Sequence, residues 1–266
     1  MVRKLFRHEM AALWRILLPI ELILLAISAF VRGFQIFESD HLAYGITFGI
    51  AVFVLVMLNL INLVAVVYIA VFRFYRHLFT AEGYLSFTLP ITPAQHIFTK
   101  ASAALLSQLA AVCVTVLSFM IVTAGDVFYE ILRVFEYGSG LLQEFTQGHV
   151  VWYIVEFAAL MLTSYISQIL LLYACVCLGQ LSRKNRVAMA IVAYFVYTVI
   201  VQILSSVLNV AVSISGHEGW FAINSPEELI VFIHGVMIAL CVWSLVVSAI
   251  YFVISHTIMR KKLNLE

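Results

Sequence analysis

Charged side chains are scarce in this sequence: Asp, Glu, Lys and Arg together make up only 11% of its 266 residues. About a quarter of the residues of an average soluble domain are charged, so this scarcity argues against a soluble globular chain. Hydrophobic residues instead account for 64%, and the mean hydropathy is +1.07. The composition therefore predicts a chain whose solvent is the lipid bilayer.

Two further absences concern chemistry. No Gly-rich phosphate loop ending in Lys-Ser or Lys-Thr occurs, so we do not expect this chain to bind ATP itself. His234 and His256 have no neighbouring ligand set, and we predict no metal site. The few thiols all lie in apolar stretches, where they are expected to pack rather than to form disulfides. These cysteines are Cys113, Cys175, Cys177 and Cys241.

Six apolar stretches are long enough to cross a membrane, which takes about 20 residues in a helix. They cover residues 14–31, 44–72, 98–124, 151–178, 187–214 and 229–258. The first has no small-residue cleavage site after it, so we expect it to remain as a span. The predicted fold is all-α and integral to the membrane, with residues 1–266 as a single transmembrane domain.

The basic residues fall mainly in alternate connections, and their distribution indicates the orientation of the spans. One side receives Arg3, Lys4, Arg7, Arg15, Arg73, Arg76, Lys100, Arg183, Lys184, Arg186, Arg260, Lys261 and Lys262. The other side has only Arg32 and Arg133 beside many acidic residues. We therefore expect both termini to be cytoplasmic.

Two segments outside the spans have helical amphipathic patterns. Residues 1–13 carry basic side chains on one side and begin an apolar face that continues to Leu17, which predicts an interfacial helix on the inner membrane surface. A plain topology anchor is the alternative interpretation. Residues 126–136 predict a second amphipathic helix, on the outer leaflet.

The longest cytoplasmic connection, residues 73–97, is unusually apolar for an exposed loop. Tyr84, Leu85, Phe87 and Leu89 form a contiguous patch that is costly to leave in water, so we expect it to meet a partner protein or the membrane surface. An acidic residue and a glycine precede a leucine-rich turn, and Leu-Pro and a hydroxyl residue follow. These positions are Glu82, Gly83, Leu85, Leu89, Pro90 and Thr92.

This order resembles the loop between the second and third spans of ABC-2 type transporter permeases. The following segment, which ends in Lys100, and the basic close from Arg260 to Lys262 also look like small permeases of that family. The resemblance implies a type V exporter-like architecture of six spans with an N-terminal interfacial helix. It covers the topology throughout and the motifs only locally.

The resemblance implies that this chain works together with partner proteins. The cytoplasmic turn would be a coupling helix that docks on a separate ABC ATPase subunit, which would hold ATP and Mg²⁺. The chain would be no enzyme itself, would bind no cofactor or nucleic acid, and would pair with a second permease half, identical or different. Its place would be the bacterial cytoplasmic membrane, among lipid. The residues assigned to coupling are Arg76, Glu82, Gly83, Tyr84, Leu85, Phe87, Leu89 and Pro90.

Polar residues inside the spans are candidates for a translocation path, because such groups should avoid lipid. The alternative interpretation is hydrogen bonding between closely packed helices. The fifth span has a stripe at helical spacing, which includes Thr198 and Ser213. The path candidates are Glu21, Asn59, Asn62, Glu156, Gln202, Ser206 and Asn209.

Two other classes of protein remain open alternatives to an ATP-driven exporter. An ion-coupled secondary transporter is the stronger, although such folds usually show repeats and helices broken at mid-membrane, and neither is evident here. An intramembrane hydrolase is the weaker. Its basis is Gly138-Ser139-Gly140 as a nucleophile setting, with His234 as a conceivable base.

Overall fold

The structure, a computed structural model, has helices as its only regular secondary structure over the residues it describes. These are residues 2–36, 42–80, 83, 91–124, 129–130, 133–134, 136–137, 140, 150–182, 185–214 and 226–261. The long helices are α1 (Val2–Ile36), α2 (Leu42–Phe79), α3 (Pro93–Thr123), α4 (Val150–Gly179), α5 (Arg186–Ile214) and α6 (Pro226–Lys261).

All six helices are long and apolar enough to cross a membrane, which agrees with the number of predicted spans. Two of them extend into the predicted connection of residues 73–97, since α2 continues to Phe79 and α3 begins at Pro93. At a rise of 1.5 Å per residue the six helices measure about 44 to 57 Å, more than the roughly 30 Å of bilayer hydrocarbon. Large apolar side chains are exposed on every one of them. An apolar surface of this kind is suited to contact with lipid, and the chain is therefore described as a multi-pass membrane protein.

The N-terminal segment differs from the prediction. Residues 2–13 do not form a separate interfacial helix in the structure; they are the first turns of α1, which continues through Pro19 to Ile36. The apolar face of this segment is covered by protein, since Leu13 and Leu17 pack against side chains of α2 and α3. The structure thus shows contacts between helices on this face, and contact of the segment with a membrane surface stays a prediction.

The chain divides into two compact units, and each is described by itself. The first consists of Met1–Leu78 and Leu85–Ser139, and the second of Phe79–Tyr84 and Gly140–Glu266. That the two units form a single transmembrane domain stays a prediction. The first unit contains α1, α3 and nearly all of α2, and the second contains α4, α5 and α6.

Two apolar clusters hold the three helices of the first unit together. One joins Leu13 and Leu17 of α1 to Val66 of α2 and to Ala103 and Ala111 of α3. The other lies towards the opposite end and joins Val31, Leu55 and Val122. Alanine on α3 leaves room for close approach of the neighbouring helices, as is common in membrane bundles.

In the second unit, small residues allow α6 to approach α4. Ser244, Ser248 and Ser255 are buried along one stripe of α6, with Tyr251 and Met259 on the same face. On α4 the buried residues concentrate in the C-terminal half, from Ile169 to Gly179. Small side chains at helical spacing are a typical interface between membrane helices.

Two short features fix the ends of helices. The side chain of Thr92 accepts a hydrogen bond from the backbone N–H of Gln95 at 3.4 Å, and Gln95 Oε1 accepts one from the backbone N–H of Thr92 at 3.1 Å. With Pro93 in the first turn, this capping box starts α3. At the other junction, Gly179 ends α4 directly beside the first turns of α5.

Candidate functional site

The candidate site in the first unit is a buried ionic cluster around Glu9 of α1. Glu9 is 4% exposed, and its carboxylate meets the ammonium group of Lys100 on α3 at 2.5 Å. Arg73 of α2 donates to its other oxygen at 3.3 Å, and Nδ1 of His77 lies 3.7 Å from Oε1. We call these four residues the Glu9 cluster.

The Glu9 cluster joins both ends of the connection that is predicted to be cytoplasmic and to couple to an ATPase. Arg73 and His77 lie in the last turns of α2, at the start of the predicted connection, and Lys100 lies in the second turn of α3, just after its end. The carboxylate of one α1 residue therefore binds to the helix on each side of the connection, α2 and α3. Since Glu9 and Lys100 are almost entirely buried, this pairing is weakly screened by water.

The coupling residues themselves are only partly described. Arg76 is exposed near the end of α2, and Gly83 is buried with its N–H donating to the carbonyl of Thr80 at 2.7 Å. Glu82, Tyr84, Leu85, Phe87, Leu89 and Pro90 lie outside the described residues. Their coupling role stays a prediction.

Further along the same three helices, the structure pairs the polar residues predicted in the first two spans. Nδ2 of Asn62 lies 3.3 and 3.2 Å from the two carboxylate oxygens of Glu21. Asn59 donates to the hydroxyl of Ser118 at 3.2 Å, and that hydroxyl lies 2.5 Å from the hydroxyl of Ser28. These three candidates thus take part in hydrogen bonds between helices, the alternative to a path lining.

We expect Ser118→Ala to lower the free energy of unfolding by about 0.5–1.5 kcal/mol, because Asn59 and Ser28 both lose a buried partner. Thr123→Ala, on the same helix, is the matched control, since Thr123 is half-buried and its hydroxyl donates only to the carbonyl of Phe119 in its own helix. Unfolding in mixed detergent micelles measures both. Equal effects of the two substitutions would contradict a stabilising role of the hydroxyl pair.

In the second unit, Glu156 of α4 meets His234 of α6. Nδ1 of His234 lies 2.6 Å from Oε1 of Glu156, and the Glu156 side chain is 15% exposed. The ring of Tyr153 stands edge-on to His234, with 6.0 Å between centroids, and its hydroxyl donates to the carbonyl of Ile230. No partner for His234 is visible in the sequence around it; the structure provides a carboxylate 78 positions away.

The pair lies in an open pocket of about 500 Å³ between α4 and α6. Trp152 and Tyr153 line it from α4, and Ile230, His234 and Ile238 line it from α6. Oε2 of Glu156 is buried and has no hydrogen-bond partner among the described residues. Over the same residues, no group of three or more His, Cys, Asp or Glu side chains is arranged to hold a metal ion.

The polar stripe of α5 is not gathered into a site within the described part of the second unit. Gln202 and Ser206 are exposed, and the hydroxyls of Thr198 and Ser206 donate to carbonyls of their own helix at 2.8 to 2.9 Å. The side chain of Asn209 lies outside the described part of the chain, as does Ser139 of the hydrolase alternative. Path lining and helix pairing both stay predictions for this stripe.

Glu9 is the functional candidate that sequence reasoning missed, although a signal exists. It is the sole acidic residue among the first twenty, and its spacing to Phe6 and Leu13 places it on the apolar face of the amphipathic segment. A carboxylate there requires a buried cation. Ser28 and Ser118 carry no such signal, because each depends on a partner 90 residues away.

Comparison with family models, curated proteins and solved structures gives no match to this chain.

Proposed function

We propose that this chain is the permease subunit of an ATP-binding cassette exporter, of the ABC-2 type, which works with a separate ATPase. The proposal includes a bacterial cytoplasmic membrane, cytoplasmic termini and a second permease half. The proposal is supported by six helices that are long and apolar enough to span a membrane. It is also supported by the absence of a phosphate-binding loop from the sequence. The resemblance around Glu82, Leu89 and Pro90 gives the family.

The observation that carries the proposal is the Glu9 cluster. A coupling loop must pass a displacement caused by ATP to the membrane helices, and that requires stiff attachment at both of its ends. Ion pairs of Glu9 with Arg73 on one stem and Lys100 on the other supply such attachment to a third helix. A force on residues 80–92 would therefore move α1, α2 and α3 together.

The direct test is a purification from native membranes in mild detergent with the tagged chain. We expect an ATPase with a phosphate-binding loop to copurify and to hydrolyse ATP in the isolated complex. The substitution pair Tyr84→Ala and Leu85→Ala should reduce its recovery at least tenfold, since apolar anchors of an interface often contribute about 2 kcal/mol each.

Tyr137→Ala is the matched control, because Tyr137 is an exposed aromatic residue on the predicted outer side. It should leave the recovery unchanged at equal chain levels in the membrane. The proposal fails if no such ATPase copurifies, or if both variants lose it equally.

One observation favours an ion-coupled carrier as a second candidate. Glu156 and His234 form a pair able to exchange a proton inside predicted spans, as is common in proton-driven transporters. Transport in vesicles that persists without ATP and stops when a protonophore removes the gradient would favour this function over the first.

A further inference from the structure

We propose that the pocket around Glu156 binds the cationic head of a hydrophobic amine. That such an amine is the transported substrate rests on the proposed function. Binding of the amine to the pocket requires neither an ATPase nor a second subunit. Three features of the pocket carry it: a carboxylate oxygen without a partner among the described residues, aromatic walls and an apolar lining.

The first feature determines the charge of the ligand. His234 engages Oε1 at 2.6 Å, whereas Oε2 of the same carboxylate is buried and has no protein donor within the part of the chain that the structure describes. An acceptor in that position needs a donor, because a buried polar atom without one is costly. An alkylammonium group has three N–H donors and a positive charge, and so satisfies Oε2 best once the Glu156 side chain turns that atom towards the pocket it lines.

The second feature fits the same ligand. Trp152 and Tyr153 line the pocket on the α4 side, and aromatic faces attract cations by their quadrupole. An anion would meet the charge of Glu156 and the aromatic rings with no compensating cation other than a protonated His234. The described lining residues include no Lys or Arg.

The third feature determines the remainder of the ligand. Ile230 and Ile238 form the α6 wall together with His234, and a volume of about 500 Å³ lies in the range of sites for small organic molecules. A small hydrated cation would leave this wall in contact with water. The pocket suits an amine that carries an apolar body of several carbon atoms.

The test uses the purified full chain in detergent and a fluorescent probe, a dansyl group joined by a five-carbon chain to a primary amine. The control ligand is the same molecule ending in a hydroxyl group. We expect saturable binding of the amine and at least tenfold weaker binding of the alcohol. Energy transfer from tryptophan to dansyl should fall in Trp152→Phe while binding persists.

Glu156→Gln is the sharpest variant. Its Oε1 can still accept from His234, but an NH₂ group takes the place of Oε2 and cannot accept a hydrogen bond. Amine binding should weaken at least tenfold, as expected for loss of a charge-assisted hydrogen bond. Glu130→Gln, which removes an exposed carboxylate paired with Arg133, should leave binding unchanged.

Equal binding of amine and alcohol by the unaltered chain would overturn the proposal, and this arm does not depend on any variant folding. Unchanged binding in Glu156→Gln would overturn it too, as would an equal loss in Glu130→Gln. None of these results bears on the proposal that an ATPase is the partner. Conversely, amine binding by a chain that copurifies with no ATPase would support the amine site and contradict the proposed exporter function.

Discussion

Glu9→Gln is expected to lower the free energy of unfolding by about 3–5 kcal/mol, because it removes the counter-charge of the buried ammonium group of Lys100. Lys100→Met should cost less, since Glu9 keeps Arg73 at 3.3 Å and His77 at 3.7 Å. The double variant should lose less than the sum of the two single losses, because it leaves neither charge of the pair behind.

Equilibrium unfolding in mixed detergent micelles measures this cycle. The matched control is Glu130→Gln, whose partner Arg133 lies 3.6 Å away with both side chains more than 70% exposed. Solvent-exposed pairs contribute little, so no measurable change is expected there. Strictly additive losses for Glu9 and Lys100 would show that the two side chains do not stabilise each other.

Gly179→Ala is the second substitution for which we expect a large effect. A Cβ at this position would lie 2.5 Å from the carbonyl oxygen of Arg186 and 2.8 Å from Cβ of Ala190. The first of these atoms belongs to the backbone, so the first turn of α5 would have to move away from α4. Overpacking of this kind typically costs about 1–3 kcal/mol.

Gly235→Ala provides the comparison within the same unit. Gly235 is a helical glycine of α6, and apart from its chain neighbours and the nearby backbone of its own helix no described atom lies within 4 Å of the position that a Cβ would occupy there. Alanine should therefore stabilise the chain by about 0.5–1 kcal/mol through helix propensity. The two substitutions should shift thermal stability in detergent in opposite directions. A stabilised Gly179→Ala would show that the corner between α4 and α5 is looser than the structure has it.

The six spans could be predicted from the sequence because the bilayer imposes one long apolar run for each helix, and such runs are visible without knowledge of tertiary contacts. The start of α3 has a local signal of the same kind, although the predicted span begins only at residue 98. Thr92, Pro93 and Gln95 form a helix-start signature within four residues, and the structure places the capping box there.

The candidate sites were predictable only in part, because their partners are distant in sequence. Glu21 and Glu156 stood out as carboxylates inside spans, but nothing near either residue indicates Asn62 or His234. The continuity of α1 was missed for a different reason. Its first turns have the same amphipathic pattern whether their apolar face meets a membrane surface or two other helices.

The order of the polar contacts along the first unit has a consequence for its assembly in the membrane. The pair of α1 and α2 already contains Glu9 with Arg73 and Glu21 with Asn62, so these two helices can satisfy their carboxylates as soon as both are inserted. Lys100 and Ser118 arrive later, with α3. Synthesis from the N-terminus thus delivers each partner while the polar group that needs it is already in place, and the third helix completes the bundle.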